Sequence, residues 1–280
     1  MSKKISQRRI IEFRNEIWRF YRAHGRDLPW RKTRNPYRIM VSEFMLQQTQ
    51  VERVIPKYTA FLKKFPSIAT LARAPLSRVL GEWQGLGYNR RCLYLKSAAV
   101  RIVEEYGGEV PTTLNVLCEL PGIGRGTAGA ISAFAFNQPV VFIETNIRRV
   151  FLHSFFKRQE QVPDVAVMEV VAQTIDAKNP REWYYALIDY GAMLGRLRRA
   201  KENPNRRSRH YTMQSKFEGS DRQIRGRFLR LMLADGSFGA KDIIAKLSED
   251  KERVIKILKG LANEGFLEYH HGRYYLTTKK

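Results

Sequence analysis

Residues 120–130 read Leu-Pro-Gly-Ile-Gly-Arg-Gly-Thr-Ala-Gly-Ala. Gly122 and Gly124 permit a tight turn whose backbone N–H groups face outward, because glycine reaches conformations closed to other residues. A helix beginning near Thr127 would aim its positive end, with Arg125 and Gly126, at an anion such as phosphate. A glycine-rich turn between two helices could also be purely structural. Leu-Pro in front and Thr-Ala-Gly-Ala behind favour the anion-binding reading.

The composition agrees. Among 280 residues, 50 Lys+Arg face 27 Asp+Glu, a formal net charge of +23. Such an excess calls for a polyanionic partner, since releasing counterions from phosphates is its main electrostatic gain. Nucleic acid fits best; an acidic protein or an anionic membrane surface would also satisfy charge alone. The apolar stretch 128–143 is broken by Asn137, Gln138 and Pro139 and is too short to span a bilayer. The N-terminus, MSKKISQRRIIEFRNEIW, carries charge throughout and lacks a signal peptide's apolar core. Cys92 and Cys118 are the two cysteines, too few for a disulfide framework, so a reducing, cytoplasmic setting is expected.

Outward from the glycine-rich turn, helical spacing dominates. Ile10, Phe13, Ile17 and Phe20 line one face over residues 5–23. A polar turn, HGRDLPWRKTRNP, follows, and helical periodicity resumes from Tyr37 through Gln50. Pro56, Pro66, Pro75 and Pro111 punctuate a string of short amphipathic segments, so residues 1–212 read as all-α. Arg196–Arg230 holds twelve Arg/Lys against three acids; alone it reads as a solvated basic run, and beside a DNA-binding domain as a phosphate contact. Residues 213–220 form its linker. Residues 221–280 read as three helices followed by two short strands around a His-Gly turn, a winged helix. That domain serves either as a structural cap or as a DNA contact through the basic helix 221–230 and Arg273.

The 120–130 turn resembles the hairpin of helix-hairpin-helix proteins, which grip a DNA backbone without reading sequence. DLPWRKTRNPYRIMVSEFMLQQTQ at 27–50, WQGLGY at 83–88 and Tyr190-Gly-Ala-Met strongly resemble adenine glycosylases of the endonuclease III superfamily, a likeness running from about residue 10 to 195. The resemblance implies a two-lobed, all-α helix-hairpin-helix fold with a small α+β winged helix appended. A six-helix barrel (about 30–136) would hold the hairpin, 1–29 and 137–212 would form a second lobe, and the active site would lie in the cleft. It implies a monomer acting on double-stranded DNA with a mismatch or lesion.

The same resemblance assigns roles. Glu43 falls at the catalytic acid: adenine is a poor leaving group, and protonating its ring nitrogen relieves the charge that develops as the glycosidic bond breaks. Glu144, in Glu-Thr-Asn-Ile-Arg-Arg-Val, stands where the family usually has Asp, two residues before Asn146. It would stabilise an oxocarbenium-like transition state or form a transient adduct, with Asn146 orienting it. The extra methylene shifts its carboxylate by about one bond length, enough to matter for rate. Arg26, Trp30, Arg31, Leu46 and Asp189 would enclose the extruded base. Gln48, Leu86 and Tyr88 resemble the wedge that fills the vacated stack. The hairpin residues Gly122, Gly124, Arg125, Gly126 and Thr127 would hold the backbone.

Three departures sharpen the expectation. Bifunctional relatives place at position 126 a lysine that forms a Schiff base and cleaves the strand; Gly126 offers no nucleophile, so a monofunctional glycosylase is expected. Most relatives have four cysteines soon after the Tyr-Gly-Ala-Met segment for an iron–sulfur cluster, whereas LGRLRRAK here has none; no cofactor and no metal are expected. The family's 8-oxoguanine-recognising domain is replaced by the winged helix. Adenine excision from 8-oxoguanine or guanine mispairs in base excision repair is the leading reading. A glycosylase for thymine, uracil or a modified pyrimidine is the alternative, and a catalytically weak DNA-binding regulator a third.

Overall fold

The computed structural model describes residues 4–197 and 203–277; part of the basic segment after Tyr190-Gly-Ala-Met, residues 198–202, lies outside the described residues. The chain gathers into two compact units. The first is Met1–Ile39, Thr112–Glu119 and Ile123–Met213, and the second Met40–Pro111, Leu120–Gly122 and Gln214–Lys280.

In chain order the helices are α1 (Gln7–His24), α2 (Pro36–Leu46), α3 (Val51–Lys64), α4 (Ile68–Arg73), α5 (Leu76–Trp83), α6 (Arg90–Tyr106), α7 (Leu114–Glu119), α8 (Arg125–Phe136), α9 (Thr145–Phe155), α10 (Asp164–Thr174) and α11 (Pro180–Leu197). No strand is assigned among the described residues before Ser237, only an isolated bridge between Val162 and Ser208. This is the all-α body expected from the sequence. Helix α1 forms where Ile10, Phe13 and Ile17 recur on one face, and all three are buried. Ser6 caps it by accepting from the Arg9 N–H, satisfying a donor the helix itself leaves open.

Within the first unit, α9 and α11 pack against each other, with α1 against α11. Their core is aromatic: Phe13, Phe151, Phe155 and Trp183 meet in tilted and edge-on contacts. Gly191 explains how α9 and α11 come so close. A Cβ there would lie 2.3 Å from the Asn146 carbonyl oxygen, so no larger residue fits without moving backbone.

The C-terminal part of the second unit contains α12 (Asp221–Asp235), β1 (Ser237–Gly239), α13 (Ala240–Leu247), α14 (Lys251–Asn263), β2 (Leu267–His270) and β3 (Arg273–Leu276). The antiparallel sheet has the order β1-β3-β2, with Phe238 opposite Tyr274 and Tyr269 opposite Tyr274. Three helices with this sheet make a winged helix. The β2–β3 turn is the expected His-Gly pair, with φ of 49° at His271 and 76° at Gly272, as a tight two-residue hairpin requires.

Two boundaries differ from the sequence expectation. Helix α8 starts at Arg125, two residues before Thr127, with Gly124 as its N-cap. Helix α2 stops at Leu46 instead of reaching Gln50, because the Arg91 side chain takes the carbonyls at its end. Strand β1 was not expected at all: three residues, Ser-Phe-Gly, are too short to show an alternation, and only pairing with β3 makes them a strand.

Candidate active site and DNA-contact elements

The hairpin joins α7 to α8. Gly122 has φ +73° and is exposed, as are Gly124 and Arg125, while Gly126 and Thr127 are half-buried. The glycine turn and the start of α8 thus lie at the surface. Position 126 is tight as well as amine-free: a Cβ there would lie 3.3 Å from the Ile143 carbonyl oxygen. That carbonyl belongs to the residue immediately before Glu144.

Glu144 is the N-cap of α9. One carboxylate oxygen accepts the N–H groups of Asn146 and Ile147, each at 2.7 Å, and the other faces the Asn146 amide nitrogen at 3.3 Å. Aspartate reaches an N-cap more directly than glutamate; here the longer side chain folds back and still caps. Burial raises the Glu144 carboxyl above the ordinary range, opposed by the two backbone N–H groups and the positive charges of Arg149 and Arg148. Asn146 is oriented in turn by Arg149, which donates to its side-chain oxygen at 2.8 Å and to the Gly191 carbonyl at 2.7 Å. Arg149 was not singled out from the sequence. Its neighbours Arg148 and Val150 give no hint that one of two adjacent arginines turns inward.

A second cluster in this unit centres on Asp189, which is 3% exposed. It accepts from the Arg26 backbone N–H at 2.9 Å and side chain at 2.6 Å, and from both terminal nitrogens of Arg31 at 2.8 and 2.7 Å. Pro29 starts the short 3-10 helix Pro29–Lys32 that carries Arg31, and the Arg31 guanidinium lies 4.5 Å from the ring centre of Tyr185. Burial alone would raise the Asp189 carboxyl, but the hydrogen bonds and charges of Arg31 and Arg26 outweigh it and hold it below the usual carboxylate range. Arg26 and Asp189 border a cavity of about 310 Å³ whose other walls include Phe20, His24, Ala192 and Met193, at the small end of ligand-pocket size. The structure therefore brings together Arg26, Arg31 and Asp189 of the expected base-pocket set. Trp30 is buried, 4% exposed, and does not line this cavity; half-buried Leu46 ends α2 in the second unit.

The second unit carries Glu43, half-buried on α2, and the expected wedge residues. Gln48 is exposed with φ 54°, and Tyr88 is half-buried with φ 47°. Both values are uncommon outside glycine and persist only where surroundings enforce them. Leu86 is 2% exposed and packs inside. The enforcing group is Arg91, at the start of α6. Its guanidinium donates to the carbonyls of Phe44 (2.7 Å), Met45 (2.8 Å), Gln47 (2.6 Å), Leu86 (3.3 Å) and Gly87 (2.9 Å), and to the Thr49 hydroxyl (2.9 Å). These bonds capture carbonyls at the end of α2, which is why that helix stops before Gln48. Burial lowers Arg91 to about 10, so it remains charged at neutral pH. Sequence reading missed it, although its spacing from Leu95, Ala98 and Ile102, all buried, places it on the apolar face of α6.

Comparison with known proteins then decides the family. Residues 41–171 match the HhH-GPD superfamily of base excision DNA repair proteins. An adenine DNA glycosylase of Mycobacterium tuberculosis is 34% identical over 239 residues, covering 77% of this chain and 76% of that protein. The chain belongs to the HhH-GPD superfamily. Another similar member, an adenine DNA glycosylase of Buchnera aphidicola, is 37% identical over 189 residues, covering 66% of this chain and 53% of the relative, so the match spans about half that protein's length. Among solved structures, a thermostable thymine-DNA glycosylase shares the superfamily fold with a TM-score of 0.61 at 24% identity, over 70% of this chain and 91% of the other.

The four-cysteine cluster common in this superfamily does not fit the donor set of this chain. It has two cysteines in all. Cys92 lies buried in α6, where desolvation pushes its thiol pKa up, and Cys118 lies in α7. The chain after α11 is held by peptide and side-chain contacts: Asn205 donates to the Thr145 carbonyl at 3.1 Å, Arg207 to the Leu152 carbonyl at 3.0 Å, and Val162 exchanges backbone bonds with Arg207 and Arg209.

Because the Asp189 carboxyl is depressed by its arginines, its stabilisation is complete above the unfolded-state pKa and is lost as pH falls through the folded one. Asp189→Asn should lower unfolding free energy at pH 7 by about 3–5 kcal/mol, since the nearly buried Arg31 guanidinium and the half-buried Arg26 guanidinium lose their anion. In urea titrations the gap to wild type should shrink below about pH 4. A gap unchanged between pH 7 and pH 3 would show that charge is not what holds the cluster.

Proposed function

We propose that this chain is a monofunctional DNA N-glycosylase that extrudes a base from duplex DNA and excises it, with adenine opposite 8-oxoguanine or guanine as its substrate. The observation that carries the reading is Glu144: a carboxylate held at the N-terminus of α9 by two N–H groups and Asn146, in a chain similar to adenine DNA glycosylases over three-quarters of its length. In this reading Glu43 protonates a ring nitrogen of adenine while the bond to C1′ of the deoxyribose breaks. The sugar carries the resulting positive charge, and Glu144 opposes it until water adds at C1′. Arg149 fixes the Asn146 amide so that its N–H group faces Glu144, and its positive charge opposes the rise that burial imposes on the Glu144 carboxyl.

The extruded base is received beside Arg26, Arg31 and Asp189, while Tyr88 and Gln48 enter the space it leaves. The hairpin 120–127 meets backbone phosphate at its surface turn and at the N-terminal end of α8, Arg125 adding charge. No amine stands at Gly126, so the reaction ends at an abasic site.

Glu43→Gln should retain duplex binding and slow single-turnover excision by at least ~100-fold. A folded variant that excises at the wild-type rate would remove Glu43 from the chemistry. Borohydride added during turnover should trap no covalent complex, and the abasic product should break only after alkali or heat. Efficient trapping would show that an amine elsewhere forms the Schiff base.

A further inference from the structure

The tip of Tyr88 is covered. Its hydroxyl accepts hydrogen bonds from the Gln214 side-chain amide and from the Arg222 guanidinium, and that guanidinium also lies 5.0 Å from the centre of the Tyr88 ring. Arg222 stands in the first turn of α12. Its other terminal nitrogen donates to the Ser215 carbonyl at 2.7 Å and hydroxyl at 3.3 Å. Residues 214–222 thus fold over the tyrosine, all within the second unit.

The acceptors around Arg222 differ from those of its neighbours. Arg225 pairs with Glu264 and Arg227 with Glu249, and Arg253 pairs with Asp221. Among the described residues the acceptors of Arg222 are neutral, a phenol, a carbonyl and a hydroxyl. A hydrogen bond to a charged oxygen is roughly twice as strong as one to a neutral oxygen, so a DNA phosphate competes well for this guanidinium and poorly for the paired ones. Control of the loop 84–89, between α5 and α6, is divided. Arg91 fixes its base through the Leu86 and Gly87 carbonyls, while Arg222 and Gln214 hold only the phenol.

We propose that Arg222 is a positioning residue for Tyr88: in the free protein it holds the phenol under residues 214–222, and on a duplex its guanidinium passes to a backbone phosphate and releases the ring to the base stack. This rests on Tyr88 being the wedge. The C-terminal domain then reports that backbone has been engaged before the duplex is opened, without reading the opposite base.

The test uses the full chain and a duplex with adenine opposite 8-oxoguanine and 2-aminopurine in the adjoining step, whose fluorescence rises on unstacking. Tyr88→Phe keeps the ring and removes the acceptor; insertion should quicken roughly 3- to 10-fold, the worth of one net hydrogen bond, with the salt dependence of binding unchanged. Arg222→Ala should also insert faster once bound, while its log–log salt slope falls by ~0.9 for the lost phosphate contact. In the free protein both substitutions should raise amide exchange across 214–222. Raised exchange with wild-type insertion rates would make the contact a plain structural strut and overturn the proposal. An unaltered salt slope in Arg222→Ala would overturn the phosphate destination. A full fluorescence rise with Tyr88→Ala would instead show that Tyr88 is not the wedge, removing the premise.

Discussion

A buried guanidinium that faces carbonyl groups instead of a carboxylate organises the second unit. Arg91, 7% exposed, takes the last carbonyls of α2 on one side and those of the 86–87 loop on the other. A desolvated cation is costly unless its donors are all satisfied, and these are satisfied only when both segments are in place. The ion therefore ties the end of the helix carrying Glu43 to the loop carrying Tyr88. It also enforces the left-handed backbone at Gln48 and Tyr88, which neither residue would adopt alone.

The first unit applies the same electrostatics with the sign reversed. Glu144 places negative charge at the N-terminus of α9, and Arg91 places positive charge at the C-terminus of α2; each opposes the partial charge of its helix end. Asp189 is a buried anion made tolerable by Arg26 and Arg31. Such clusters gain little net stability over apolar packing, but losing one member is expensive. They fix geometry, which a reaction sensitive to small displacements requires.

Much of this was legible in the sequence because it rests on local rules. The Pro-Gly-Ile-Gly turn, the face Ile10–Phe13–Ile17 and the His-Gly hairpin each follow from residue conformation or periodicity, and each stands where expected. The polar and charged candidates Glu144, Asn146, Arg26, Arg31 and Asp189 came from motif resemblance, and the structure adds which of them touch. What stayed hidden was non-local. The early end of α2 depends on a residue forty-odd positions away in α6, and β1 exists only as the partner of β3. Arg149 and Arg222 look like any solvated arginine until α11 supplies an acceptor to the first, and Ser215 and Tyr88 supply acceptors to the second. The sequence shows that Glu144 has one methylene more than aspartate but not that its side chain folds back to cap the Asn146 and Ile147 N–H groups.

The most direct measurement is the identity of the free base released from a matched panel of duplexes under single-turnover conditions. The panel needs adenine opposite 8-oxoguanine, guanine and thymine, and thymine and uracil opposite guanine. The expected result is free adenine from the first two duplexes and no thymine or uracil from any. Release of a pyrimidine, or no base from a folded protein that binds all five duplexes, would contradict the assignment of this site to adenine excision.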